Sequence, residues 1–273
     1  MANTVNQSGA IAKKAAKSAP PQSIKDYIKV YRGEIEKALP KVMTPDRFVR
    51  IATSAVTNTP KLAECTPKSF VGAMLNAAQL GLEPNTPLGQ AYLIPYFSKG
   101  RYEVQFQIGA KGLVELAHRA GTNVESHVVY ENDEFSYSYG LHPDIVHKPV
   151  MKDRGKAIAY YAVWRNADSF GFEVMSKEDV LAHAQTYSKT FKNGPWQTNF
   201  DEMAKKTVIK KALKYAPLKS DIARALGEDE SIKSDISDDM STVPNEFFDA
   251  EYTEQNVDDA TGEVTNVSPV VSQ

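Results

Sequence analysis

Residues 91–119 read AYLIPYFSKGRYEVQFQIGAKGLVELAHR and contain two strand patterns followed at once by a helix pattern. The two strand patterns flank Ser98-Lys99-Gly100, a combination typical of a hairpin turn. In the second strand, apolar residues at 102, 104, 106 and 108 alternate with polar ones, so one face of the hairpin is apolar. Gly109-Ala110-Lys111-Gly112 then leads into a helix that ends near Gly121. This stretch predicts an antiparallel hairpin with a helix packed beside it.

Helix patterns precede the hairpin, and a mixture of strand and helix patterns follows it. Residues 23–39 form an amphipathic stripe, and Thr44-Pro45 and Thr66-Pro67 are typical helix starts. Further strands are predicted at 124–130, 134–139, 144–148, 156–165 and 169–175. Further helices are predicted at 176–187, 199–215 and 220–226. The sequence therefore predicts an α+β fold of antiparallel β hairpins or a sheet with packed helices.

The charge is distributed unevenly along the 273 residues, although the formal net charge is only −2. Residues 228–273 hold thirteen acidic residues and one lysine, a net charge of −12, whereas residues 1–227 hold 31 basic and 21 acidic residues, a net charge of +10. We therefore predict a disordered basic N-terminal arm (1–22), a structured core (23–227) and a disordered acidic tail (228–273). The tail either solubilises the protein, binds a basic partner or competes with nucleic acid for the core.

Several function classes are disfavoured by what the sequence lacks. It contains no phosphate-binding loop, no dinucleotide-binding glycine motif and no nucleophile elbow. Cys65 is the single cysteine, so an intramolecular disulfide and a cysteine zinc site are excluded. The longest apolar run, 157–164, is too short to span a bilayer, and no secretory signal is present, so we expect a cytoplasmic protein. Asp133 and Glu134 are adjacent in a strand and face opposite ways, which argues against a two-metal nuclease site.

Basic side chains are concentrated at structured positions. On the helix at 199–215, four lysines share one side with no acidic residue among them: Lys206, Lys210, Lys211 and Lys214. Lys205 falls within the apolar arc and either pairs with Asp201 or reaches into a groove. Lys111 lies at a helix start, which is either an anion site or a glycine turn with a solvated lysine.

Aromatic residues are the other candidates, because bases of a single strand stack on them. Tyr96 lies near Lys99 and Arg101, so aromatic and basic residues interleave there. Trp196 either stacks on a base or packs beneath the lysine helix.

Several longer motifs, in order, resemble the RecT family of phage single-strand annealing proteins. They are QLGLEP (79–84), GQAYLIPY (89–96), QIGAKGL (107–113), GPW (194–196), EMAKKT (202–207) and KYAP (214–217). The resemblance runs from about residue 23 to residue 227, which is nearly the whole basic part of the chain.

The resemblance implies an ATP-independent recombinase that binds single-stranded DNA, pairs it with a complementary strand and holds the annealed duplex. It implies a strand-strand-strand-helix core, a homo-oligomeric ring or helical filament, and no catalytic residues. It also implies a phage exonuclease partner and, further, the host single-strand-binding protein. No cofactor is expected, with Mg²⁺ at most a modulator of DNA binding or assembly. A passive single-strand-binding protein and a metal-dependent nuclease are the alternatives.

The residues to which we assign DNA binding form one predicted set. The first group is Lys111, Lys205, Lys206 and Lys210. The second group is Arg47, Arg50, Lys99, Arg101, Arg119, Lys211, Lys214, Gln105, Gln107, Tyr96 and Trp196.

Overall fold

The computed structural model describes residues 24–39, 43–98, 100–188, 191–192, 194–218, 220–233, 235, 240–246, 255–257 and 264–266. The predicted N-terminal arm (1–22) and Lys99 lie outside the described residues. The chain is α+β with antiparallel strand pairs and packed helices, which confirms the predicted fold class.

Nine α-helices and nine strands are present in the described residues. The helices are α1 (Ile24–Val30), α2 (Arg32–Ala38), α3 (Pro45–Asn58), α4 (Pro67–Leu80), α5 (Ala110–Arg119), α6 (Lys177–Tyr187), α7 (Pro195–Thr198), α8 (Phe200–Lys214) and α9 (Ser220–Glu228). The strands are β1 (Ala91–Ser98), β2 (Arg101–Ile108), β3 (Asn123–Tyr130), β4 (Glu134–Ser138), β5 (Asp144–Lys148), β6 (Ala157–Arg165), β7 (Phe170–Ser176), β8 (Gln255–Val257) and β9 (Val264–Asn266).

The central sheet is three-stranded and antiparallel, with β6 between β3 and β7. Strand β7 runs directly into α6, so these three strands and this helix form a strand-strand-strand-helix unit of the kind that the resemblance implies. Hairpin β1–β2 and hairpin β4–β5 are separate two-stranded sheets. The hairpin at 91–108 therefore pairs as predicted, but it lies outside the three-stranded sheet.

Local signals account for where several helices begin and end. Pro45 and Pro67 occupy the first turns of α3 and α4, and an extended threonine precedes each, although neither threonine side chain caps its helix. Gly81 ends α4 with a φ of 60°, a left-handed conformation that favours glycine. At the start of α6, the Ser176 hydroxyl accepts a hydrogen bond from the Asp179 N–H at 3.0 Å.

Helix α8 is held on the central sheet by an apolar face and one polar contact. Ala204, Val208 and Ala212 are buried in the core on successive turns of the helix. The hydroxyl of Tyr160 on β6 donates to the Asp201 carboxylate at 2.5 Å. Burial raises the pKa of the Tyr160 phenol above its usual value, so the hydroxyl stays a donor. The lysine-bearing side of α8 is thereby turned away from the sheet.

The chain continues on the core past Gly227, where the charge change had placed a boundary. Ser231 pairs with Phe106 of β2, and Ile232 pairs with Glu246 through backbone hydrogen bonds. Lys233 is only 1% exposed, and its ammonium donates to the carbonyls of Met240 and Val243 at 2.9 and 2.7 Å. Charge composition does not reveal such contacts, because main-chain atoms make most of them. The division into arm, core and tail stays a prediction.

An ion network fastens hairpin β4–β5 to the sheet. The Asp133 carboxylate is inaccessible to solvent and accepts from the Arg154 guanidinium at 2.5 Å. It also accepts from the backbone N–H groups of Tyr130 and Val150, both at 3.0 Å, and lies 3.1 Å from Nε2 of His147. The Arg154 guanidinium, together with these hydrogen bonds, holds the pKa of Asp133 well below its usual range.

We expect Asp133→Asn to lower the melting temperature at pH 7 and to reduce the acid dependence of stability. A depressed carboxyl pKa stabilises the folded state above the unfolded pKa of about 4, and that stabilisation is lost as pH falls toward the folded value. The gap in melting temperature between wild type and variant should therefore shrink below pH 4 in scanning calorimetry. Asp144→Asn, at an exposed position on β5, is the matched control. A gap that stays constant with pH would refute this account.

No helix in the described part of the chain is long and apolar enough to cross a membrane.

Candidate nucleic-acid interface

A groove of about 760 Å³ lies between hairpin β1–β2, helices α6, α7 and α8, and the chain that follows α9. It brings together predicted residues that are far apart in the sequence. Those that line it are Tyr96, Gln105, Gln107, Trp196, Lys206, Lys210, Lys211 and Lys214. The groove is therefore the place where the lysine helix and the polar face of the hairpin meet.

Of the four α8 lysines that line the groove, three have no acidic partner among the described residues. In the described chain, Lys206, Lys211 and Lys214 have no carboxylate oxygen within 4.0 Å of their ammonium groups. Helical spacing places all three on the side of α8 that faces away from the core. Uncompensated lysines side by side repel each other, and an anion such as phosphate relieves that repulsion.

Lys210 differs from these three, because it is tied to the segment after α9. Its ammonium lies 2.6 Å from an Asp229 oxygen and 3.1 Å from a Glu230 oxygen. Burial alone would lower the Lys210 pKa, but the charges of Asp229 and Glu230 raise it above its usual value. We therefore interpret Lys210 as an anchor for the C-terminal segment and not as a free phosphate ligand.

The same segment accepts a hydrogen bond from Gln105, which in turn accepts one from Gln107. Gln105 Nε2 donates to the Glu230 carbonyl at 2.6 Å, and Gln107 Nε2 donates to Gln105 Oε1 at 2.8 Å. Asp229 also accepts from the Ile108 N–H at 2.7 Å. The glutamines line the groove, and each amide group already uses one of its two N–H donors within the protein. Their predicted role as phosphate donors stays a prediction.

The two predicted aromatic residues have different surroundings. Trp196 is 5% exposed and meets Phe200 edge-on, with ring centroids 5.5 Å apart. This favours the packing alternative, in which the indole supports α8. Tyr96 is partly exposed on β1, and Ile94 lies on the same face of that strand.

Lys111 lies beyond one end of the groove, on the same face of the hairpin. A Cβ built on Gly89 would lie 3.2 Å from the Tyr92 hydroxyl and 3.7 Å from Cδ of Lys111, so these two side chains are neighbours. Tyr92 and Ile94 point to one face of β1, and Ile94 lines the groove. A DNA single strand that continued from the groove along this face of the hairpin would reach Lys111, which is exposed.

The remaining predicted residues in the described part of the chain do not line the groove and have partners of their own. Lys205 pairs with Glu202 at 2.5 Å; the alternative partner, Asp201, instead accepts from Tyr160. Arg101 pairs with Glu103 at 2.7 Å.

Three arginines make their contacts around α3 and the end of α4. Arg47 pairs with Glu83 at 2.8 Å, and Arg50 donates to the Asp46 carbonyl at 3.3 Å. Arg119 pairs with Glu115 at 2.9 Å and donates to the carbonyls of Leu80 and Gly81 at the end of α4. The structure therefore does not gather these arginines with the α8 lysines.

Helix α6 contributes groove residues that the sequence reasoning missed, among them His183 and Tyr187. Their rings are 4.7 Å apart at an interplanar angle of 44°. The sequence does contain a signal for this pair: two aromatic rings four residues apart share one side of a helix. Neither residue is a lysine or an arginine, so the pattern of basic side chains did not include this pair. No cluster suited to a metal ion was found among the residues that the structure describes.

Comparison with known proteins gives consistent matches over this region. The model of the RecT family matches residues 46–244. Protein RecT of Escherichia coli (strain K12) is 38% identical over 230 residues, which cover 81% of this chain and 85% of that protein. The uncharacterized protein YqaK of Bacillus subtilis (strain 168) is 27% identical over 194 residues, which cover 70% and 66% of the two chains. The family match spans β1–β7, α8 and the segment that packs against β2.

Proposed function

Because the chain belongs to the RecT family of phage single-strand annealing recombination proteins, we propose that the groove binds the phosphates of a DNA single strand. The observation that carries this proposal is the row of unpaired lysines, Lys206, Lys211 and Lys214, along one side of the groove. Phosphate contacts hold a strand without reading its sequence, and annealing must work for any sequence. The Watson–Crick edges of the bases are left free to pair.

The free energy for annealing comes from base pairing, so no nucleotide needs to be hydrolysed. The protein has to bring together two polyanions that repel each other. Lysines in the groove neutralise part of the charge of the first strand and release its condensed counterions. We infer that the protein acts without cleaving DNA and without ATP, in the cytoplasm of the bacterial host. We further propose that it works as a ring or helical filament beside a phage exonuclease and the host single-strand-binding protein.

We expect the protein to accelerate the pairing of two labelled complementary oligonucleotides without ATP and in the presence of EDTA. The measurement is the annealing rate by fluorescence, with strand length checked on a denaturing gel. Faster pairing of intact strands supports the proposal. A passive coating protein would bind but slow the pairing. Strands shortened on addition of Mg²⁺ or Mn²⁺ would indicate a nuclease. Acceleration that appears only with Mg²⁺, on intact strands, would assign the metal a part in DNA binding or assembly.

A further inference from the structure

The sides of the groove differ in chemistry. Helix α8 presents the unpaired ammonium groups of Lys206, Lys211 and Lys214, whereas the part of α6 that lines the groove carries no formal charge at neutral pH. That part includes His183 and Tyr187 on successive turns. A nucleotide has the same division, with a charged phosphate on one side of the sugar and an uncharged, aromatic base on the other.

Tyr187 is an aromatic ring that is both exposed and supported. It is the last residue of α6, and its side chain is 71% exposed. His183 contacts it through the ring pair described above, so the exposed ring is braced from one side. A single exposed aromatic residue is ordinary. Here, however, the ring belongs to a groove that also carries three unpaired lysines.

The protonation state of His183 fits a supporting ring and not a phosphate ligand. Burial lowers its pKa below the usual value, and the nearby ammonium groups of Lys211 and Lys210 lower it further, while Glu230 raises it. The imidazole is therefore largely neutral at pH 7. The α6 side thus offers a neutral aromatic surface where the α8 side offers positive charge.

We propose that Tyr187, braced by His183, is a stacking platform for a base of the single strand whose phosphates lie along Lys206, Lys211 and Lys214. This inference rests on the proposed function and adds to it where a base is held. Stacking engages only the face of a base and leaves its pairing edge free. It also tolerates any sequence, because every base has an aromatic face. The first strand is thereby held with a base presented for the incoming complement.

The test compares an oligothymidylate with an abasic oligomer that has the same number of phosphates. We expect Tyr187→Ala to weaken binding of the oligothymidylate by about tenfold in fluorescence anisotropy, as stacking energies per base imply. Binding of the abasic oligomer and the salt dependence should change little, since no phosphate contact is removed. Tyr187→Phe should bind like wild type. Tyr215→Ala is the matched control, because Tyr215 is 75% exposed and does not line the groove.

Two results would overturn the stacking role. Equal losses on the two oligomers would mean that Tyr187 acts on phosphate binding or on the shape of the groove. Unchanged binding of both, in a variant with the wild-type melting temperature, would mean that no base contacts it. Failure of the phosphate proposal is recognised separately: alanine at Lys206, Lys211 and Lys214 would then leave binding of both oligomers unchanged.

Discussion

Alanine at Lys206, Lys211 and Lys214 together should lower single-strand affinity by about 100-fold at 0.1 M salt. For single strands, the logarithm of the binding constant falls with the logarithm of salt concentration by about 0.7 per phosphate contact. Removing three contacts should therefore flatten that slope by about 2 and cost about two orders of magnitude at 0.1 M salt. The three ammonium groups lie outside the core, so we expect the melting temperature to be nearly unchanged.

The control variant removes the same charge elsewhere. Lys61, Lys152 and Lys156 are exposed and do not line the groove. Alanine at these three positions lowers the net charge equally, so it tests whether general attraction explains the effect. Equal losses of affinity and slope in the two triple variants would contradict a groove-specific site. Annealing rates should follow affinity, because a strand must be bound before it can be presented.

The structure also separates the lysines that the sequence grouped together. Helical periodicity correctly placed Lys206, Lys210, Lys211 and Lys214 on the side of α8 away from the apolar core, because that side is fixed by local spacing. It could not show that Lys210 is neutralised by Asp229 and Glu230. Those carboxylates come from a later segment, and its path depends on backbone pairing with β2. Contacts of this kind leave no periodic pattern in the sequence.

The helix starts were predictable for a related reason, and the arginines were not. Proline in the first turn acts within a few residues, so α3 and α4 begin where predicted, and Gly81 ends α4. Arg119 was assigned to DNA binding because of its charge alone. Its guanidinium donates to the carbonyls of Leu80 and Gly81, which need donors at the end of a helix. Its role in DNA binding stays a prediction. Only the tertiary arrangement shows that those carbonyls lie beside α5.

The two glycines of the Gly109-Ala110-Lys111-Gly112 motif allow two backbone segments to pack closely. A Cβ built on Gly112 would lie 2.0 Å from the Gln90 carbonyl oxygen, and one on Gly109 would lie 2.1 Å from the Gly89 carbonyl oxygen. The Gly109 N–H also donates to the Gln90 carbonyl at 2.9 Å. The chain before β1 therefore passes directly against the start of α5, and only a residue without a side chain fits there.

Gly112→Ala should accordingly destabilise the fold by about 3 kcal/mol or more, because the clash is with backbone atoms and no rotamer relieves it. For a chain of this size, we expect a fall in melting temperature of about 6–12 °C or more in scanning calorimetry. Gly33→Ala in helix α2 is the matched control, because a Cβ built on Gly33 would meet no heavy atom from elsewhere in the described chain within 4 Å. It should stabilise the protein by about 0.5–1 kcal/mol.

Stability and DNA binding distinguish the two interpretations of this motif. Lys111→Ala removes an exposed charge without touching the close backbone contact, so it should leave the melting temperature unchanged. If the helix start also serves as an anion site, Lys111→Ala weakens single-strand binding and flattens the salt slope by about 0.7. An unaltered slope would assign the motif to packing alone. A Gly112→Ala variant with the melting temperature of the wild type would contradict the close packing of α5 against the chain before β1.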